Sequence, residues 1–162
     1  MQNNDILRRL RYTFHLTDTQ MMALFAEGGL TASREVISNW LKKDDDADFV
    51  SLYDIDLAAF LNGFIIQKRG KKEGETPKPE KSLNNNIILR KLKIALNLKD
   101  DDILDLLNLA DFKFSRHELS ALFRKPEQDQ YRACKDQVLR NFLMGLQLKF
   151  RKNNLENPAH ES

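Results

Sequence analysis

Asn3-Asn4-Asp5-Ile6-Leu7-Arg8-Arg9-Leu10-Arg11 opens the chain, and Asn85-Asn86-Ile87-Ile88-Leu89-Arg90-Lys91-Leu92-Lys93 repeats it 82 residues later. The match runs without a gap from 3–70 onto 85–152. Ser33-Arg34 returns as Ser115-Arg116, Ser38 as Ser120, and Lys42-Lys43 as Arg124-Lys125. Asp54, Leu57, Phe60-Leu61, Gly63 and Arg69 return as Asp136, Leu139, Phe142-Leu143, Gly145 and Arg151. Chance does not hold register over such a length, so the chain is an internal duplication. The period exceeds the roughly 20–50 residues of one solenoid unit, so each copy is expected to be a small bundle of several helices.

Apolar residues recur at helical spacing in both copies. Ile6, Leu7, Leu10 and Phe14 form a first stripe, echoed by Ile88, Leu89, Leu92 and Leu96. Thr17-Asp18-Thr19-Gln20 fits a capping box for a second helix that buries Met21, Leu24 and Phe25. Its counterpart buries Ile103, Leu106 and Leu107, with Asp100 as the expected cap. Third helices start at Ser33 and Ser115, the latter again in a capping box; their cores are Ile37, Trp40, Leu41 and Leu119, Leu122, Phe123. Fourth helices run from about Asp54 and Asp136 and carry Ile55, Phe60, Leu61, Phe64, Ile65 and Val138, Leu139, Phe142, Leu143, Leu146.

Strand alternation and Asn-Gly hairpin signals are absent. The expected fold is all-α: two homologous bundles of about four helices in tandem, residues 1–71 and 84–152. A bundle of about 70 residues is marginal in burying its own core. The copies are therefore expected to pack together about a pseudo-twofold axis. Residues 72–83 hold two prolines, one glycine and mixed charges, the composition of a solvated linker. Residues 153–162 are expected as a flexible tail.

With 41% apolar and 31% charged residues, the 162-residue chain can form a packed core and is not disordered as a whole. A formal charge of +2 is too balanced for bulk charge to drive nucleic-acid binding. The single cysteine, Cys134, excludes an internal disulfide framework. No apolar run is long enough for a membrane span, and the first residues lack the layout of a secretory signal. A soluble intracellular protein without membrane contact is the expectation.

A search for chemistry yields little. His15, His117 and His160 form no local metal spacing, and Cys134 aligns with Leu52, as a small core side chain would. Asp44-Asp45-Asp46-Ala47-Asp48 resembles the start of a calcium loop, but Phe49 and Ile55 stand where glycine and glutamate are required. Asp100-Asp101-Asp102 suits a helix N-terminus without a metal. Neither a cofactor nor catalysis is expected.

The polar pattern common to both copies is cationic. Arg34 and Lys42 lie on one helical face with Ser38, and Arg116 and Arg124 repeat it. The first helices add Arg8 and Arg11, matched by Arg90 and Lys93, and the last helices end on Arg69 and Arg151. These ten residues are the candidate anion or nucleic-acid face. Residues 3–70 carry 8 Lys+Arg against 10 Asp+Glu, net −2, while 85–152 carry 14 against 9, net +5. The second copy is thus the better contact for a polyanion, with Lys113, Arg132, Lys135, Arg140 and Lys149 adding to it. Residues 20–43 also read like a helix-turn-helix, but the turn over 27–32 exceeds the usual three or four residues. DNA or RNA is the first expected partner. The alternative is a protein–protein adaptor or homo-oligomer with no nucleic-acid role.

The repeated N-N-x-I-L-R-[RK]-L-[RK] opening, the central Ser-Arg and the closing F-L-x-G with its trailing arginine resemble the YehS-like family. That is a domain-of-unknown-function family of small bacterial proteins built on a duplicated domain. The resemblance covers residues 3 to about 152. It implies a bacterial cytoplasmic setting and supplies no catalytic residues to carry over.

Overall fold

A computed structural model describes residues 1–71 and 77–156, with side chains through Arg151. Its helices are α1 (Asn3–Phe14), α2 (Asp18–Glu27), α3 (Arg34–Leu41), α4 (Asp54–Arg69), α5 (Asn85–Ala95), α6 (Asp100–Leu109), α7 (Arg116–Leu122) and α8 (Asp136–Glu156). No strand occurs among the described residues. The local signals behave as read. Thr17 and Gln20 exchange side-chain and backbone hydrogen bonds at 3.1 and 2.8 Å, and Ser115 and Glu118 do so at 3.0 Å each. Each bond occupies an N–H group that the helix cannot itself satisfy. Asp100 departs from expectation: Lys99 is the cap, its N–H donates to Asp102 at 2.8 Å, and the Asp100 carboxylate accepts from Lys93 at 2.8 Å.

Packing crosses between the copies. Within each copy α2 lies along α4, and α6 along α8; but α1 packs chiefly on α8, and α5 on α4. Exchanging the copies maps one seam onto the other, as a twofold axis requires. Buried residues of both halves form one core, in which Leu7, Leu57, Phe60, Leu89, Leu139 and Phe142 are wholly inaccessible. Each such side chain removed from water stabilises the fold by about 1.5–3 kcal/mol, and the crossing lets two marginal bundles share the gain.

Two devices recur at the same register in both copies. The first is a glycine at the helix crossing. A Cβ on Gly63 would lie 1.8 Å from the Leu24 carbonyl oxygen, and one on Gly145 would lie 2.1 Å from that of Leu106. Glycine inside a helix costs about 1 kcal/mol relative to alanine; backbone contact across the crossing explains why it stands there. The second is an asparagine clamp. Asn4 donates through Nδ2 to the carbonyls of Trp40 and Val50, both at 2.9 Å, and accepts from the Leu52 N–H at 3.0 Å. Asn86 does the same with Leu122 (3.0 Å), Arg132 (2.9 Å) and the Cys134 N–H (2.8 Å). One buried amide thus ties α1 to the end of α3 and to the loop before α4, satisfying groups that would otherwise be buried unpaired. Asn3 and Asn85 extend the tie to Asp54 and Asp136, each at 2.7 Å.

Three expectations need correction. Ile55 is exposed rather than core, because the second residue of α4 lies beyond the contact with α2; polar Gln137 holds its place in α8. The linker is not solvated throughout. Residues 72–76 lie outside the described residues, but the Leu83 N–H donates to Asp54 at 2.9 Å and Glu80 pairs with Lys91 at 3.0 Å. Finally, α8 continues to Glu156, past the expected start of the tail at 153; residues 157–162 lie outside the described residues.

Candidate functional site

Eight of the ten cations singled out by the repeat have partners within the chain. Arg8 pairs with Asp5 and donates to the Lys42 carbonyl at 2.6 Å, and Arg90 donates to the Phe123 carbonyl at 3.2 Å. Both guanidinium groups close the C-terminal end of the neighbouring helix, where the dipole favours a cation. Asp18, at the start of α2, faces Arg11 at 4.0 Å and Arg34 at 3.8 Å. In the second copy Lys93 meets Asp100 at 2.8 Å and Arg116 pairs with Asp101. Lys42 donates to Asn39 at 2.8 Å. Arg151 lies over the Tyr12 ring, 3.8 Å from its centroid, and donates to the Tyr12 carbonyl at 2.7 Å. Arg69 and Arg124 have no such partner among the described residues. The repetition of these cations therefore has a structural reason: Arg11, Arg34, Lys93 and Arg116 meet the first turn of α2 or α6, and Arg8 and Arg90 close the ends of α3 and α7. Exposed pairs of this kind contribute about 0–1 kcal/mol, so they do not bar a phosphate from competing for the same groups.

The reactive side chains are placed for structure. Cys134 is buried, and burial followed by the Asp136 charge pushes its thiol up to about 11, leaving almost no thiolate near neutral pH. His15 caps α1 in the left-handed region at φ 52°, and Asn97, just past the Leu96 cap of α5, holds the same conformation at φ 53°. Among the described residues no group of three His, Cys, Asp or Glu side chains is placed to hold a metal. The connection from α2 to α3 spans 28–33, longer than a helix-turn-helix corner. No helix of the described residues is long and apolar enough to cross a membrane.

A pair of surface clefts is the feature the repeat did not announce. In the first copy a cleft of about 550 Å³ is lined by Leu30, Thr31, Ala32, Val36, Trp40 and Asp56, with Met22 and Ser33. In the second, a cleft of about 430 Å³ is lined by Phe112, Lys113, Phe114, Glu118, Leu122 and Val138. These are the same six positions, 82 residues apart. Between the helix pair and the loop that the asparagine clamp holds, each copy leaves the same hollow. The chemistry differs. The first cleft has the lone tryptophan and a half-buried carboxylic acid, Asp56, whose pKa burial pushes up. The second is floored by Phe112 and Phe114, with ring centroids 5.8 Å apart, and is rimmed by Lys113, Arg132 and Lys135. Lys113, Arg132 and Lys135 were legible as part of the charge excess. The cleft itself was not, because its residues are those that fail to repeat.

Comparison with known proteins bears out the duplication. A family model described as "Protein of unknown function (DUF1456)" matches residues 3–70 and, a second time, residues 85–152. A protein of Escherichia coli (strain K12) described as "Uncharacterized protein YehS" is 44% identical over 147 residues, which is 90% of this chain and 94% of that protein. No solved structure gives a significant match.

Proposed function

Because the chain belongs to the DUF1456 family, whose description assigns no activity, we propose its role from its own geometry: a non-catalytic binding module that holds a protein partner. The observation that carries this reading is the pair of clefts that share six positions yet differ in lining: Trp40 and the acid Asp56 in the first, and two phenylalanines with Lys113, Arg132 and Lys135 beside Glu118 in the second. The occupant of the second cleft is an acidic peptide segment with an apolar anchor. Phe112, Phe114, Leu122 and Val138 offer the anchor an apolar floor, and Lys113, Arg132 and Lys135 face its carboxylates.

The test is a titration with a fluorescein-labelled twelve-residue peptide of alternating Glu and Leu or Phe. Saturable binding that drops at least tenfold in Lys113→Glu/Arg132→Glu, with unchanged circular dichroism, is the expected result. No binding, or equal binding by that variant, overturns the reading.

A second reading, contact with nucleic-acid phosphates, is favoured by the net +5 of residues 85–152 and by the exposure of Arg132 and Arg140. Its mark is steep salt dependence. Duplex DNA and single-stranded RNA assayed at about 50 and 200 mM salt decide it: affinity falling by orders of magnitude between the two supports this reading, and no binding at low salt removes it.

A further inference from the structure

The two seams between the copies are equivalent in backbone and unequal in charge. At the α4–α5 seam, Lys91 donates to Asn62 at 2.6 Å and pairs with Glu80 at 3.0 Å, with its side chain 12% exposed. Glu80 reaches it from the connecting segment. The cation thus has both a polar acceptor and a carboxylate, while Asn62 Nδ2 and the second Glu80 oxygen are buried without a partner among the described residues.

The twofold relation carries Lys91 onto Arg9 and Asn62 onto Met144. At this α1–α8 seam, Arg9 Nη2 lies 3.8 Å from the Met144 sulfur, and no carboxylate of the described residues pairs with it. Asp5, the nearby acid, is engaged by Arg8. Arg140 stands where the first copy has the buried Ala58, so a second cation replaces a methyl group. Met1, Asp5, Arg8, Arg9 and Arg140 line an open pocket of about 340 Å³. Burial first, and then the Arg140 charge, push the Arg9 pKa down, while Asp5 pulls it back in part. A half-buried guanidinium with a thioether as its side-chain partner keeps N–H donors free on the pocket side.

We propose that the Arg9–Arg140 pocket is a carboxylate-binding site, in which the ligand's carboxylate takes the place Glu80 holds at the opposite seam. The arginine fork suits a carboxylate bidentately, and the site stands on geometry independent of the two clefts. The carboxylate comes either from a small organic acid or from an acidic side chain of a polypeptide.

Succinate and an N-acetylated, amidated Glu-containing tripeptide are titrated calorimetrically into the whole protein, at constant ionic strength, beside chloride and sulfate. Succinate binding alone marks the small acid as the source, and tripeptide binding alone marks the acidic side chain. Arg140→Ala installs the residue of the first copy and so preserves packing; it is expected to weaken binding at least tenfold, as is Arg9→Gln. Binding removed by Lys113→Glu/Arg132→Glu and untouched by both arginine variants belongs to the second cleft and counts against this proposal, so failure here and failure of the cleft reading are separable. Glu80→Ala empties the opposite seam and should create a second, weaker succinate site at Lys91. Succinate and tripeptide that bind no better than chloride, sulfate that binds as well as either, or affinity unmoved by both arginine variants would overturn the proposal.

Discussion

The two copies agree in the devices that hold the chain together and disagree in the clefts and at the seams between the copies. Asn4 and Asn86 make the same three hydrogen bonds, and Gly63 and Gly145 let the same helix pair cross. Yet Trp40 answers to Leu122, Asp56 to Val138, Asn62 to Met144 and Ala58 to Arg140. The shared asparagines and glycines are scaffold; the unshared positions named here give each copy its own cleft and seam chemistry. Even the shared cations follow this division, since Asp18 and Asp100 draw them into the scaffold.

The helix crossings tolerate substitution least. Gly63→Ala and Gly145→Ala each force a Cβ into a facing carbonyl, at a cost of about 3 kcal/mol. Gly28 extends the comparison. A Cβ there would lie 1.7 Å from the Ala59 carbonyl oxygen, whereas the second copy already holds Ala110 at that position. Gly28→Ala should therefore be severe and Ala110→Gly mild; urea unfolding measures both, and equal costs would show that α2 and α6 approach their partners alike.

Next in size come the clamps. Asn4→Ala and Asn86→Ala each strand two carbonyls and one N–H, at a cost of about 2–3 kcal/mol. The two values should agree within error because the partners correspond one to one. A clear inequality in chemical unfolding would mean the clamps differ in burial.

The smallest effect sharpens the contrast between clefts. Burial raises the Asp56 pKa above its ordinary 3.8, so the folded state holds this proton more tightly than the unfolded chain does. Stability from this group is therefore lost as pH rises from 3.8 through the folded value. Asp56→Val, which copies the second cleft, should raise Tm by about 1–3 °C at pH 7, with the gain vanishing below pH 3.8. A Tm gain that persists in acid would trace to packing instead of charge.

Much of this architecture was legible in the sequence. The offset of 82 residues gave the halves, the apolar stripes gave eight helices, and Thr17 and Ser115 marked two starts. What escaped was whatever depends on three-dimensional neighbours. Asn-Asn reads as a family signature until its amide is seen bridging two segments 36 and 46 residues away. Gly63 reads as a weak helix residue until the facing carbonyl is in view. The basic stripe read as a binding face because a helical wheel shows which residues share a side, but not which carboxylates come to meet them. The clefts escaped for the opposite reason. Self-alignment rewards identity, and their chemistry lies in the mismatches.

The exchange of first helices between halves bears on how such a chain could have arisen. With α1 roofed by α8 and α5 by α4, a lone copy leaves one face of its opening helix and one face of its closing helix uncovered. A single-copy ancestor would close that gap only by dimerising. Carrying both copies in one polypeptide keeps each beside the partner it packs on, whatever the charge each copy carries, net −2 in one and +5 in the other.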